Sequence, residues 1–198
     1  MKKDMFKGTK GMIILALLVI MVVGYYFYLS NRNVNHSAEE QSEVEIMTES
    51  KKALSRDLKS NYPPTPREVV KYFSEITSCY YNEEHDEEEL RALGLKMREI
   101  YDDELVANQS EEAYLALLKM DIDEYKEKGR TISSYSPSSS VDVEEFTQDG
   151  FECAKLYCVF DVKQDGLLYQ TTLCFILRKD SNEHYKIFGW KTMPSEEQ

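Results

Sequence analysis

Residues 151–178, FECAKLYCVFDVKQDGLLYQTTLCFILR, decide the fold. Ala154, Leu156, Cys158, Phe160 and Val162 fall on alternate positions, the period of a strand with one buried face. Asp165-Gly166 is the kind of two-residue turn that tolerates positive φ and joins antiparallel strands. Folding the stretch about that turn sets these residues opposite Leu177, Phe175, Leu173, Thr171 and Tyr169, and that side is the expected core. Leu156, Cys158, Phe160, Tyr169, Leu173 and Phe175, with Trp190 on the next strand, form the candidate pocket or core face. The other side carries Lys155, Asp161, Gln170, Thr172 and Arg178 and is expected to be wet, with Tyr157, Val159 and Ile176 as apolar points.

Outward from this hairpin, Gln148-Asp149-Gly150 turns back to a strand over Val141 to Thr147, and Lys179 to Glu183 leads to another over His184 to Met193. The result is an antiparallel meander. Before it, Thr131 to Ser140 is Ser-rich and contains Pro137, and three helices are expected further upstream. Thr65 and Glu68 flank Pro66 as a capping box, and Val69, Tyr72, Phe73, Ile76 and Tyr80 recur at helical spacing over Pro66 to Tyr81. Asp86 to Glu89 place carboxylates where a helix dipole favours them, ahead of the stripe Leu90, Leu93, Met97, Ile100, Tyr101 and Leu105. Ser110 caps a third helix over Glu111 to Lys128, with Tyr114, Leu115, Leu118, Ile122 and Tyr125 on one side, and Gly129 ends it.

The N-terminal part reads differently. Gly11 to Leu29 contains no charged residue, with Gly11, Met12, Ile13, Leu15, Leu18, Ile20, Val23 and Leu29 along its length. As a helix its nineteen residues would reach roughly 28 Å, close to the hydrocarbon thickness of a bilayer, so a transmembrane helix is expected. Lys2, Lys3, Lys7 and Lys10 precede it and only Arg32 follows closely, a bias that sets the N-terminus in the cytoplasm and the rest outside. A cleaved signal peptide is the rival reading; Val22 and Gly24 resemble its cleavage site, but the apolar run is long for one. The expected divisions are a basic tail at 1–10, the span at 11–29, a polar tether at 30–61 with a helical or self-associating stretch over Ser50 to Ser60 as the alternative for part of it, a domain at 62–194 and a disordered tail at 195–198.

The formal charge of -12 becomes -15 beyond the first ten residues, which carry +3. Such a surface repels nucleic acid. Cys79, Cys153, Cys158 and Cys174 admit three complete pairings or none. Cys158, on the core side, is placed to meet Cys79 from a helix above, while four buried thiols are the plainer expectation. The acidic run Glu83 to Glu89 around His85 points around a whole helix turn instead of converging, so no metal site is expected. Asp161 to Gly166 echoes a calcium loop, but Lys163 and Thr172 stand where ligands are needed. Asp161 and Tyr157 are the nearest approach to a catalytic pair, on the outward face; His184 is the other titratable group a pocket would need. No cofactor is expected.

Three helices followed by an antiparallel meander resemble the NTF2-like, or cystatin-like, α+β roll, with the helices packed on a curved sheet. Tyr62-Pro63-Pro64-Thr65-Pro66-Arg67-Glu68-Val69-Val70, Cys79-Tyr80-Tyr81-Asn82 and Arg130-Thr131-Ile132-Ser133-Ser134-Tyr135-Ser136 resemble segments of an uncharacterised family of single-span membrane proteins from clostridia. The resemblance implies a Gram-positive source, a cell-membrane location with an extracytoplasmic domain, and no functional residues. By architecture it implies a non-enzymatic binding or assembly module similar to those of transfer and secretion machines. Its contacts would be with lipid through 11–29 and with an envelope protein partner, leaving a homo-oligomer open. The alternative is a small-ligand binder or enzyme that uses the cavity between sheet and helices.

Overall fold

The computed structural model of the chain describes residues 48–194. Among them are five α-helices: α1 (Glu49–Ser55), α2 (Pro66–Asn82), α3 (Glu87–Arg98), α4 (Asp103–Ala107) and α5 (Glu111–Glu127). A single sheet follows, made of β1 (Thr131–Pro137), β2 (Glu144–Gln148), β3 (Phe151–Gln164), β4 (Leu167–Lys179) and β5 (Tyr185–Thr192).

The α+β class stands, but the expected class is corrected in two respects. There are five helices, not three, and among the described residues no helix is long and apolar enough to cross a membrane. These helices carry charged outer faces because their buried residues lie on one side, and α4 buries none. The span expected at 11–29, its flanking lysines, the first part of the 30–61 tether and the tail at 195–198 lie outside the described residues.

The long hairpin has the register its alternation predicts: Ala154 pairs with Leu177, Leu156 with Phe175, Cys158 with Leu173, Phe160 with Thr171 and Val162 with Tyr169. The β2–β3 and β3–β4 turns use Asp-Gly with positive φ, 52° and 84° at Asp149 and Gly150 and 52° and 79° at Asp165 and Gly166. This is the pair of conformations that matches strand twist in a two-residue loop. The sheet order is β1-β3-β4-β5, with β2 also on β3. β2 pairs with the first part of β3 and β1 with the last part, both antiparallel.

β1 arises in the Ser-rich segment that contains Pro137. Its backbone is held from two sides: it pairs with β3, and the side-chain amide of Asn82 both donates to the Ile132 carbonyl and accepts from the Ile132 N–H, each at 2.8 Å. A strand of weak propensity is thus fixed by tertiary hydrogen bonds, as edge strands often are.

Helix α2 lies across the inner face. Thr65 Oγ1 accepts from the Glu68 N–H at 3.2 Å, Pro66 opens the first turn, and Val69, Val70, Tyr72, Phe73, Ile76, Cys79 and Tyr80 are buried. Against them pack Leu156, Cys158, Phe175, Leu177 and Ile187, all buried in the same core. The stripe Leu90 to Leu105 breaks in two. After α3 the chain leaves the helix to bond with β5, the Ile187 N–H donating to the Ile100 carbonyl and the Asp102 N–H to the Ile187 carbonyl, each at 2.9 Å. Asp102 then caps α4 by accepting from the Glu104 N–H at 3.0 Å. Gly94 lets α3 and α5 approach closely, since a Cβ there would sit 2.7 Å from Leu115 Cδ2.

The packed unit begins before Tyr62, the expected start of the domain. Ser50, Ala53 and Leu58 are buried, Ser50 Oγ donates to Glu83 Oε2 at 2.6 Å, and the Tyr72 hydroxyl donates to the Ala53 carbonyl at 2.8 Å. Replacing Tyr72→Phe keeps the ring and strands that carbonyl, so a loss of about 1–2 kcal/mol is expected. It should be read as a lower denaturant midpoint together with faster proteolysis around α1; an unchanged midpoint would mean the bond adds nothing.

All four cysteines are free. Cys158 does not meet Cys79; its sulfur lies 3.4 Å from Ser74 Oγ, because the strand residue faces the middle of α2 and Cys79 sits more than a turn further on.

Candidate functional site

Helix α5 covers the sheet incompletely and leaves a space against it. Its inward stripe has Tyr114, Leu118, Asp121 and Tyr125 at helical spacing, yet Ile122 is the residue of α5 that is buried. Tyrosines bridge distance with a ring and keep a polar tip, so they hold α5 off the sheet instead of closing on it. The result is a cavity of about 500 Å³, within the range of small-molecule sites.

The cavity floor is the sheet, with Phe160 and Val162 of β3, Thr171 and Leu173 of β4, and Trp190 of β5. The walls are Phe73, Thr77, Tyr80 and Tyr81 of α2, Met97 and Arg98 of α3, and Tyr101 beyond it, with Leu105, Val106 and Gln109 closing one end. Aromatic rings brace one another: Phe73 lies 5.0 Å from Phe175 and 5.2 Å from Trp190, Tyr101 5.5 Å from Trp190, and Tyr81 stacks on Tyr125 at 4.0 Å.

Polar groups are few and placed at particular points. The Tyr114 hydroxyl interacts with those of Tyr80 and Tyr101, and the Tyr80 hydroxyl also donates to the Leu93 carbonyl at 3.1 Å. Burial pushes all three phenols above their ordinary value, so they stay protonated. Asp121 is the carboxylate of the wall, and it accepts the Tyr81 hydroxyl. Arg98 and Arg130 supply the cations.

Of the residues expected on the pocket face, Phe160, Leu173 and Trp190 line the cavity. Leu156, Cys158 and Phe175 lie fully buried beneath α2, and Tyr169 is half exposed near the β3–β4 turn, where the inner face runs beyond the helices. Asp161 and Tyr157 stay outside the cavity. Asp161 accepts from Ser134 Oγ and from Gln170 Nε2, while Tyr157 takes its place in the strand opposite Cys174. His184 stacks on Tyr62, with ring centres 4.2 Å apart. The acidic run disperses as its spacing implies: Glu83 accepts from Ser50, Glu84 pairs with Lys126, Glu87 with Lys119, and Glu89 with the buried His85. Among the described residues no group of three or more His, Cys, Asp or Glu side chains converges on a metal position.

Sequence reasoning assigned Tyr80, Tyr101, Tyr114 and Tyr125 to ordinary apolar stripes and passed over Arg98 and Arg130. The available signal was the choice of tyrosine where leucine would have filled the space, repeated on three successive helical stripes. No curated protein matches the chain. A family model described as a domain of unknown function, DUF6715, matches residues 1–190, and the chain belongs to that family.

Proposed function

We propose that the domain binds a small, largely apolar molecule in the cavity between α5 and the sheet. The observation that carries this reading is the cavity itself, about 500 Å³ of aromatic wall with a handful of oriented polar groups. Interiors of domains are ordinarily close-packed, and leaving this much apolar surface without partner atoms forfeits dispersion energy that a ligand restores. The braced rings keep the site preformed, which limits the ordering cost of binding.

Thr171 is the small residue of the floor, so Thr171→Trp fills the space without touching the core beneath α2. In the full-length protein, enhancement of N-phenyl-1-naphthylamine fluorescence is expected for the native chain, with affinity lowered at least about tenfold by the substitution. Equal binding by both proteins would place the probe elsewhere and defeat the reading. The other expectation, a module acting through protein contacts, draws support from Leu167, Leu168 and Tyr169, exposed by 59%, 61% and 51% at the β3–β4 turn. Absence of probe binding to the native chain would favour it.

A further inference from the structure

We infer that the molecule accepted by this cavity carries one anionic oxygen head, carboxylate or sulfonate, on its apolar body, and that Arg130 receives the head. The inference rests on the cavity-binding reading and specifies its ligand.

Tyr114 and Tyr125 mark the ends of the α5 stripe, about 16 Å apart along the helix axis. An arginine stands at each end, Arg98 with its guanidinium 5.2 Å from the Tyr114 ring centre and Arg130 with its own 6.0 Å from that of Tyr125. Among the described residues both guanidinium groups meet neutral acceptors. Arg98 donates from Nη2 to the carbonyls of Val106 and Gln109 at 3.2 and 3.5 Å and so holds the link between α4 and α5. Arg130 donates from Nε to Gln164 Oε1 at 2.8 Å, leaving its terminal N–H groups without an acceptor among the described residues. The Tyr125 hydroxyl is shut off from solvent and lacks a hydrogen-bond partner. Buried polar groups rarely stay so. An anionic oxygen seated beside Arg130 would offer acceptors to its terminal N–H groups in the bidentate manner that guanidinium favours.

Asp121 fixes which way the ligand lies. Its carboxylate is on the same wall, one helical turn before Tyr125, and is taken up by Tyr81. An anionic head avoids it by passing on to Arg130, and the apolar body then lies along Leu118, Thr171 and Leu173. A chain of charge -12 repels anions at long range, so any preference must come from this local contact. There the surrounding low dielectric strengthens it.

The test titrates the full-length protein with 1-anilinonaphthalene-8-sulfonate and with N-phenyl-1-naphthylamine. The two share an aromatic body and differ by the sulfonate. The Thr171→Trp protein supplies the reference for fluorescence arising outside the cavity. The sulfonate is expected to bind about tenfold more tightly than its neutral counterpart. Arg130→Gln should raise its Kd about tenfold and leave the neutral probe unmoved, with partial recovery in Arg130→Lys. If the neutral probe binds and Arg130→Gln weakens both probes alike or neither, the head assignment is overturned while the cavity reading survives. If neither probe exceeds the Thr171→Trp reference, both are overturned. Should Arg130→Gln fail to fold, the native protein decides: equal affinity for the two probes overturns the inference.

Discussion

Between pH 10 and pH 11 the domain is expected to lose about 3 kcal/mol of stability, carried by Tyr72, Tyr80 and Tyr101. These three are only 1%, 3% and 8% exposed, and burial raises each phenol above its ordinary value of 10. A group whose folded pKa is raised gives stability that is complete below the unfolded pKa and is lost as pH climbs toward the folded one. The window therefore opens at about 10, where the unfolded chain releases protons that the folded chain keeps, and the slope for each phenol rises toward about 1.4 kcal/mol per pH unit above it. The Cys79 thiol, pushed up to about 11 by burial, adds the same sign from pH 9 upward. Lys186 opposes them, since burial lowers its ammonium below the ordinary value and so favours the folded state as pH rises, but it is one group. Because a domain is stable by only about 5–15 kcal/mol, unfolding should follow within roughly another pH unit. Phenolate absorbance checks this: a late cooperative rise should coincide with loss of circular dichroism. A single smooth titration of all tyrosines with the fold intact would refute it.

Asp102→Ala is expected to cost about 3 kcal/mol, at the lower end of what breaking a buried ion pair costs. Arg178 Nε and Nη2 donate to the two oxygens of Asp102 at 2.9 and 2.5 Å, and the same guanidinium is held between Phe151 and Phe188, 4.3 and 4.6 Å from their ring centres. Asp102 is itself buried, so its removal leaves a cation fixed between two rings with Glu104, 3.0 Å away and largely exposed, as a weak substitute. The α4 cap is lost with it. A fall in Tm of about 10 °C is expected, and the double change Asp102→Ala with Arg178→Met should recover part of it, because the stranded charge goes too. If the double variant is no more stable than Asp102→Ala, the cost lies in the cap and not in the pair.

What was legible in the chain was whatever local chemistry sets. The β3–β4 register followed from strict alternation and an Asp-Gly turn, and Thr65, Ser110 and Gly129 marked helix ends with the groups such ends require. What was hidden depended on partners distant in sequence. Helix α1 buries little besides Ser50 and Ala53, so its stretch is polar, and it is placed by bonds to Glu83 and Tyr72. The single stripe from Leu90 to Leu105 gave no hint that Ile100 and Asp102 would leave a helix for the edge of β5. Alternation put Tyr169 and Trp190 on the inner face, yet it cannot say where the helical cover stops. The cavity was least legible of all, since it is the difference between the volume the helices enclose and the side chains supplied to fill it.

The bonds that Ile187 makes with Ile100 and Asp102 have a consequence for the molecule among its own copies. They occupy the outward backbone groups midway along β5, so a foreign strand laid there would find the ladder already taken. The opposite margin is divided between β1, ending in Pro137, and β2, with a 3₁₀ turn at Ser140–Asp142 separating them. Neither margin offers an uninterrupted template, and the sheet is thereby guarded against fibril growth by strand addition.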